Sequence, residues 1–187
     1  PTVRHLNIQA IHNQKEIALR ITWDDPSVDP GLKNIGRVEE SPPPPLPENA
    51  QGMDQEEPLD PINPEYPDAI AIQFPADLNK QTPYFLNGDK ENPVEIWKWS
   101  TSSNKVLEFI AKGLENWSTK KESTVKAKGS YKFGKYSLIL KRSLNGKGIP
   151  FKRERPIPIA FNVWDGYHGE NGSKKSISSW FELQLAK

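Results

Sequence analysis

The chain has 187 residues, a net charge of +1 and 26% charged residues, enough length for one domain with a real core. It contains no cysteine, which excludes disulfides, thiolate metal sites, iron–sulfur clusters and covalently attached c-type haem. No run approaches the roughly 18 apolar residues of a membrane span, and near-neutral charge does not announce nucleic acid, so neither a membrane span nor a nucleic-acid partner is expected.

The chain opens "PTVRHLNIQA", with neither Met nor a signal-like apolar region, as expected of a processed or trimmed product. A period of two dominates from there. "VRHLNIQAI" alternates, and "EIALRITW" puts Ile17, Leu19, Ile21 and Trp23 on one face, with "HNQK" between them reading as a hairpin turn. Asp24 and Asp25 lead into "PSVDPG" and read as turn chemistry.

From Glu39 to Pro67 the composition changes. This stretch holds eight acidic residues, no Lys or Arg and nine of the eighteen prolines, leaving 25 basic against 16 acidic residues elsewhere. Such a segment forms neither helix nor central strand, so an extended, polyproline-like insertion is expected: either a disordered surface loop or an arm along a partner subunit.

Strand patterning then resumes. "DAIAIQFP" offers Ile70, Ile72 and Phe74 on one side, and "VEIWKWS" alternates Val94, Ile96, Lys98 with Glu95, Trp97, Trp99. In "SSNKVLEFIAKGLENW" the residues Val106, Phe109, Ile110, Leu114 and Trp117 recur at helical spacing after a capping start, which predicts one short helix weakened by Gly113. A second hairpin turns near Gly134, with Tyr136, Leu138 and Leu140 on a shared face, and "IPIAFNVWD" and "SISSWFELQL" close the chain. Eight strands separated by Gly, Asn, Asp and Pro clusters predict an all-β protein. The expected fold is a single antiparallel β-sandwich domain over 1–187, with one short helix and the Pro-rich acidic insertion at 39–67.

Enzyme signatures are missing: there is no P-loop, GxGxxG, GxSxG or HExxH, and His5, His12 and His168 are scattered. Six tryptophans in a small sandwich suggest a flat ligand or a sugar-presenting face. Trp97 and Trp99, two residues apart on one strand, would suit a carbohydrate-binding module.

The ordered blocks "KEIALRITWDDPSVD", "YPDAIAIQFP", "TPYFLNGDKENPVEIWKW", "GKYSLILKRSL" and "IPIAFNVWDGYHGENGSKKSISSWFELQL" carry a family resemblance. Together they resemble the haem b-binding gamma subunits of periplasmic molybdenum enzymes. These are the third subunits of the ethylbenzene dehydrogenase, dimethylsulfide dehydrogenase, selenate and chlorate reductase group, to which some nitrite oxidoreductases are related. The resemblance covers nearly the whole chain outside the acidic insertion. It implies a periplasmic or other extracytoplasmic β-sandwich that grips one haem b and performs no substrate chemistry. The implied partners are an iron–sulfur beta subunit, a molybdopterin alpha subunit and a soluble carrier such as a cytochrome c.

In that family a lysine in the loop matching "GSKKS" is an axial iron ligand, which makes Lys175 the ligand candidate and Lys174 its solvated neighbour. Only the neutral amine has a lone pair for iron, against an ordinary lysine pKa of about 10.4, so the site must desolvate it. The family's opposite ligand is a Met before Gly, and the matching position here is Asn87. Three readings stay open: Asn87 coordinates iron through its amide oxygen, it only lines the pocket of a five-coordinate or water-ligated iron, or Met53 reaches in from the acidic insertion. Phe85, Leu86, Trp97, Phe161 and Trp164 flank the ligand blocks as an expected apolar wall, with His168 and Arg142 as candidates for propionate contacts.

Overall fold

A computed structural model describes residues 2–13, 15–31, 66–146, 148–151 and 155–185. Most of the acidic insertion, including Met53, lies outside the described residues. Eleven strands run through them: β1 (Asn7–His12), β2 (Glu16–Asp24), β3 (Ala69–Pro75), β4 (Val94–Ser100), β5 (Val106–Ala111), β6 (Trp117–Thr119), β7 (Lys126–Tyr131), β8 (Lys135–Ser143), β9 (Ile157–Trp164), β10 (Ser176–Ile177) and β11 (Phe181–Leu183).

All pairings are antiparallel. One sheet has the order β1-β2-β8-β7, and the other β10-β9-β3-β4-β5-β6, with β11 also on β9. The alternation read from the sequence decides which face is buried. Ile17, Leu19, Ile21 and Trp23 of β2 and Tyr136, Leu138 and Leu140 of β8 meet Ile70, Ile72 and Phe74 of β3 and Trp97 and Trp99 of β4 in one core. Both hairpins have turns suited to their residues. Asn13 accepts the Lys15 and Glu16 N–H groups at its side-chain oxygen, while Phe133 and Gly134 take left-handed φ values of 51° and 71°.

The expected helix does not form among the described residues; its segment makes β5, a turn at 112–116 and β6. The helical spacing misled because β5 is covered on both sides. Val106 faces the sandwich core, whereas Phe109 and Ala111 face an apolar layer on the sheet's outer surface, so the two-residue period is hidden by apolar residues of both parities. "SISSWFELQL" likewise breaks into two short strands, β10 and β11.

Ala69, Ala71, Val94, Ile96, Ala111 and Trp164 form that outer layer, a second buried cluster on the face of the larger sheet turned away from the smaller one. An outer sheet face of a sandwich is ordinarily polar, so this one is built to be covered.

Candidate functional site

The outer apolar layer floors a cleft of about 330 Å³, within the range of about 300–1,000 Å³ usual for ligand sites. Strand parity builds the floor: Ala71 of β3, Ile96 and Lys98 of β4, Phe109 and Ala111 of β5, and Asn162 and Trp164 of β9 all point outward. Two loops complete it. One follows β3 and brings Asn87; the other follows β9 and brings Gly172, Ser173 and Lys175. Because β3 and β9 are antiparallel neighbours, these loops leave opposite ends of the sheet and approach the same face from both sides.

Each loop is held in place. Gln73, fully buried on β3, donates from Nε2 to the Phe85 carbonyl at 3.0 Å and accepts the Asn87 N–H at 3.2 Å. The Asn87 carbonyl then accepts the Gly113 N–H at 3.0 Å, tying the loop to the β5–β6 turn. Asn87 and Gly88 carry φ values of 65° and 68°, a left-handed pair that Asn and Gly enter more readily than other residues. On the other side Trp164 Nε1 donates to the Gly172 carbonyl at 3.1 Å, and Lys174 Nζ donates to the His168 carbonyl at 2.7 Å. Lys174 is therefore spent on its own loop, while Lys175 faces the cleft.

Lys175 Nζ lies 5.0 Å from the Trp164 ring centroid, and Lys98 Nζ lies 4.4 Å from the same ring. Burial lowers the pKa of Lys175, and the neighbouring charge of Lys98 lowers it further. Burial lowers Lys98 as well. Asn162 is 2% exposed and its Oδ1 has no hydrogen-bond partner in this cleft, an uncompensated acceptor of the kind a bound group or water satisfies. At the rim, Leu114 and Trp117 leave more than half of their surface in solvent.

Several expected wall residues stand elsewhere. Trp97 is 1% exposed in the sandwich core, packed on Phe74 and Phe151 with its Nε1 donating to Glu95. It belongs to the opposite face of β4 from Lys98. Phe161 points inward from β9 for the same reason of parity and lines a different cleft of about 490 Å³ between the N-terminal segment and β9 to β11. That larger cleft has neither Asn87 nor Lys175, so volume alone does not select the site. Arg142 is buried inside the sandwich, 3.4 Å from Glu95 and donating to the Ile149 carbonyl, with its guanidinium facing Trp97 and Phe151. It is an internal ion-pair residue and cannot reach a propionate.

Trp99 also faces the core, at 3% exposure, so the tryptophan pair expected to present a sugar face does not exist at the surface. Phe85 and Leu86 sit half-buried on the Asn87 loop, Phe85 against Tyr84 in a shallow groove outside the cleft. His168 shares the Lys175 loop but pairs with Asp165 at 2.7 Å. Sequence reasoning missed Lys98, Asn162 and Gln73. The signal for Lys98 was present, since it shares its face with Val94 and Ile96.

The comparisons with known proteins agree on one group. Residues 1–121 match the family model described as ethylbenzene dehydrogenase. A respiratory nitrate reductase heme subunit of Haloferax mediterranei is 24% identical over 185 residues, covering 97% of this chain and 56% of that protein. The chlorate reductase subunit gamma of Ideonella dechloratans is 29% identical over 123 residues, covering 63% of this chain and 50% of that protein. The dimethylsulfide dehydrogenase subunit gamma of Rhodovulum sulfidophilum is 25% identical over 128 residues, covering 63% and 48%. The chain thus spans about half the length of the curated relatives it matches. With the family model covering well over half of the sequence, this chain belongs to the ethylbenzene dehydrogenase family.

Proposed function

We propose that this chain is an electron-transfer subunit holding one non-covalent haem b in the cleft between Asn87 and Lys175. It relays electrons to or from the iron–sulfur subunit of a molybdopterin oxidoreductase and does no substrate chemistry itself. The observation that carries this reading is the convergence of Asn87 and Lys175, 88 positions apart in sequence, on one cleft with an apolar floor.

The residues present fit such a group. Ala71 and Ala111 leave a low strip on the floor, and Phe109, Leu114 and Trp117 supply apolar surface that only a bound apolar body would cover. Lys175 can ligate only as a neutral amine, and both burial and Lys98 favour that form. Asn87 offers a hard oxygen in place of a thioether, which favours the ferric state and lowers the potential. The floor limits water access, which acts in the opposite direction. When bound, haem supplies a one-electron iron couple; the protein's part is to hold, orient and electrostatically tune it.

Support for haem comes from the Haloferax relative's description as a heme subunit, and support for a multi-subunit enzyme from the two gamma subunits. Iron–sulfur and molybdopterin partners and a soluble carrier such as a cytochrome c follow from the family reading, as does a location outside the cytoplasm. We take the nitrite–nitrate couple as the substrate, as in a nitrite oxidoreductase. The match of almost the whole chain to a nitrate reductase subunit and the departure at Asn87 both favour it.

Oxidised and dithionite-reduced spectra of the natively purified complex, with a pyridine haemochrome assay, test this reading. A b-type signal of one haem per chain is expected. A colourless complex overturns it.

A further inference from the structure

At the end of the sandwich from which the Lys175 loop departs, four carboxylates meet. Asp25 and Asp29 follow β2, Asp68 precedes β3, and Asp165 follows β9. Their exposures are 2%, 5%, 0% and 2%, and each offers an oxygen within 4.8 Å of the others. Neither short loops nor chance contact accounts for this, because the residues come from three separated stretches of chain and join the two sheets.

The local hydrogen bonds do not neutralise the cluster. Asp68 accepts the Asp29 N–H and the Tyr136 hydroxyl at Oδ2 and the Gly166 N–H at Oδ1. Asp29 accepts the Ser27 hydroxyl, and Asp165 accepts the His168 N–H and faces its ring nitrogen. Among the described residues His168 is the one potential cation paired with these carboxylates. Asp25, one of whose oxygens lies within 4.8 Å of the other three carboxylates, receives one N–H, from Ser27, at Oδ1, while its Oδ2 is buried with no hydrogen-bond partner. A buried carboxylate oxygen without a donor costs far more than an ordinary hydrogen bond returns. It is an oxygen waiting for a ligand.

We propose that Asp25, Asp29, Asp68 and Asp165 hold one calcium-sized divalent cation that fastens the two sheets together at the root of the Lys175 loop. The donor chemistry selects the ion class, since oxygen-only carboxylate sets suit hard cations and not zinc or copper. With all four oxygens within 4.8 Å of one another, one ion can be shared by the set. Four buried carboxylates suit calcium, which takes about 6–8 oxygen ligands in flexible geometry, better than magnesium, which keeps several of its waters. Gly166, next to Asp165, allows the close approach: a Cβ there would lie 2.7 Å from that of Asp29. The position also gives the ion a task. Trp164 underlies Lys98 and Lys175, and Asp165 is the next residue, so fixing Asp165 fixes the hinge of the ligand loop.

The test is cation binding by the full chain after treatment with a calcium chelator, with no haem present, so its result stands apart from that of the haem reading. Terbium(III) is the probe, because Tyr136 donates to Asp68 at 2.6 Å and stacks on Trp23 at 4.7 Å, placing two antennae beside the site. The expected result is saturable sensitised emission displaced by calcium and not by magnesium, and a calcium-dependent rise in melting temperature. Both effects should be lost in Asp25→Asn and in Asp29→Asn, without those variants melting below the calcium-free parent. Absence of both effects in the parent overturns the proposal and leaves a proton-sharing cluster. Binding that survives both substitutions also overturns it, placing the ion elsewhere, such as the acidic 39–67 stretch. Anomalous scattering from terbium-soaked crystals of the parent decides the location even if the variants fail to fold.

Discussion

Lys98 and Lys175 converge on a single indole, their ammonium nitrogens 4.4 and 5.0 Å from the centroid of Trp164. Two like charges in a half-buried cleft disfavour each other's charged form, and the charge of Lys98 lowers the proton affinity of Lys175 beyond what burial does. In the proposed haem site, proton and iron would compete for the lone pair of Lys175. Replacing Lys98 by Met removes the like charge and raises the Lys175 pKa, so acid-driven loss of the amine ligand should move to higher pH. A pH titration of the haem absorption band in parent and Lys98→Met compares the midpoints; a midpoint unchanged or moved to lower pH contradicts this electrostatic role.

Asn87→Met restores the family's sulfur donor at a backbone position that does not suit it. With φ at 65°, a longer side chain in the left-handed region costs about 1–2 kcal/mol. The variant should melt lower than the parent while its haem potential rises, because a thioether favours the ferrous state. Potentiometric titration alongside thermal melting separates the two effects. An unchanged potential means that Asn87 lines the pocket without touching iron.

Arg142→Met should cost stability and leave the haem spectrum alone. The side chain is fully buried against Glu95, which without it keeps, among the described residues, only the partly exposed Lys120, at 3.4 Å, as a charged partner. The loss should therefore fall somewhat below the ~3–5 kcal/mol typical of a broken buried pair. Adding Glu95→Gln should recover part of the loss. Denaturant unfolding and an optical spectrum check both halves, and a spectral change at full stability would return Arg142 to the haem site.

Much of the fold was legible because one face of β2, β3 and β8 alternates cleanly against a single core. The sequence could also mark Lys175 and Asn87 through the blocks that surround them. Parity was the information left unused at the site. Phe161 and Trp164 lie three apart on one strand, as do Ile96 and Trp99 on another, so the members of each pair must face opposite ways. Applying that to β9 and β4 removes Phe161 and Trp97 from the cleft and adds Lys98 and Asn162. The β5 segment was illegible for a different reason, since apolar residues on both faces erase the period. The aspartate cluster was hidden because Asp25 before Pro26 reads locally as a turn, and only the tertiary fold brings Asp68 and Asp165 to it.

Those aspartates give calcium-free stability a pH dependence. Burial first, then the neighbouring Asp68 charge, raises the Asp25 pKa from 3.8 to about 7, and burial raises Asp68 in the same direction. A raised folded-state pKa means that the folded protein holds the proton more tightly than the unfolded chain. The associated stability is complete below 3.8 and is lost as pH rises through about 7. Without calcium, the parent should therefore lose melting temperature relative to Asp25→Asn across that window. Parallel melting curves for the two proteins would contradict it.

The most direct test of the haem assignment is a haemin titration of the full chain in parent, Lys175→Ala and Lys174→Ala forms, read by optical and EPR spectra. One haem per chain with a lysine-ligated low-spin signature in the parent and in Lys174→Ala, lost in Lys175→Ala, is the predicted result. Identical spectra in all three proteins would contradict the assignment of Lys175 as the iron ligand and, with it, the cleft as the haem site.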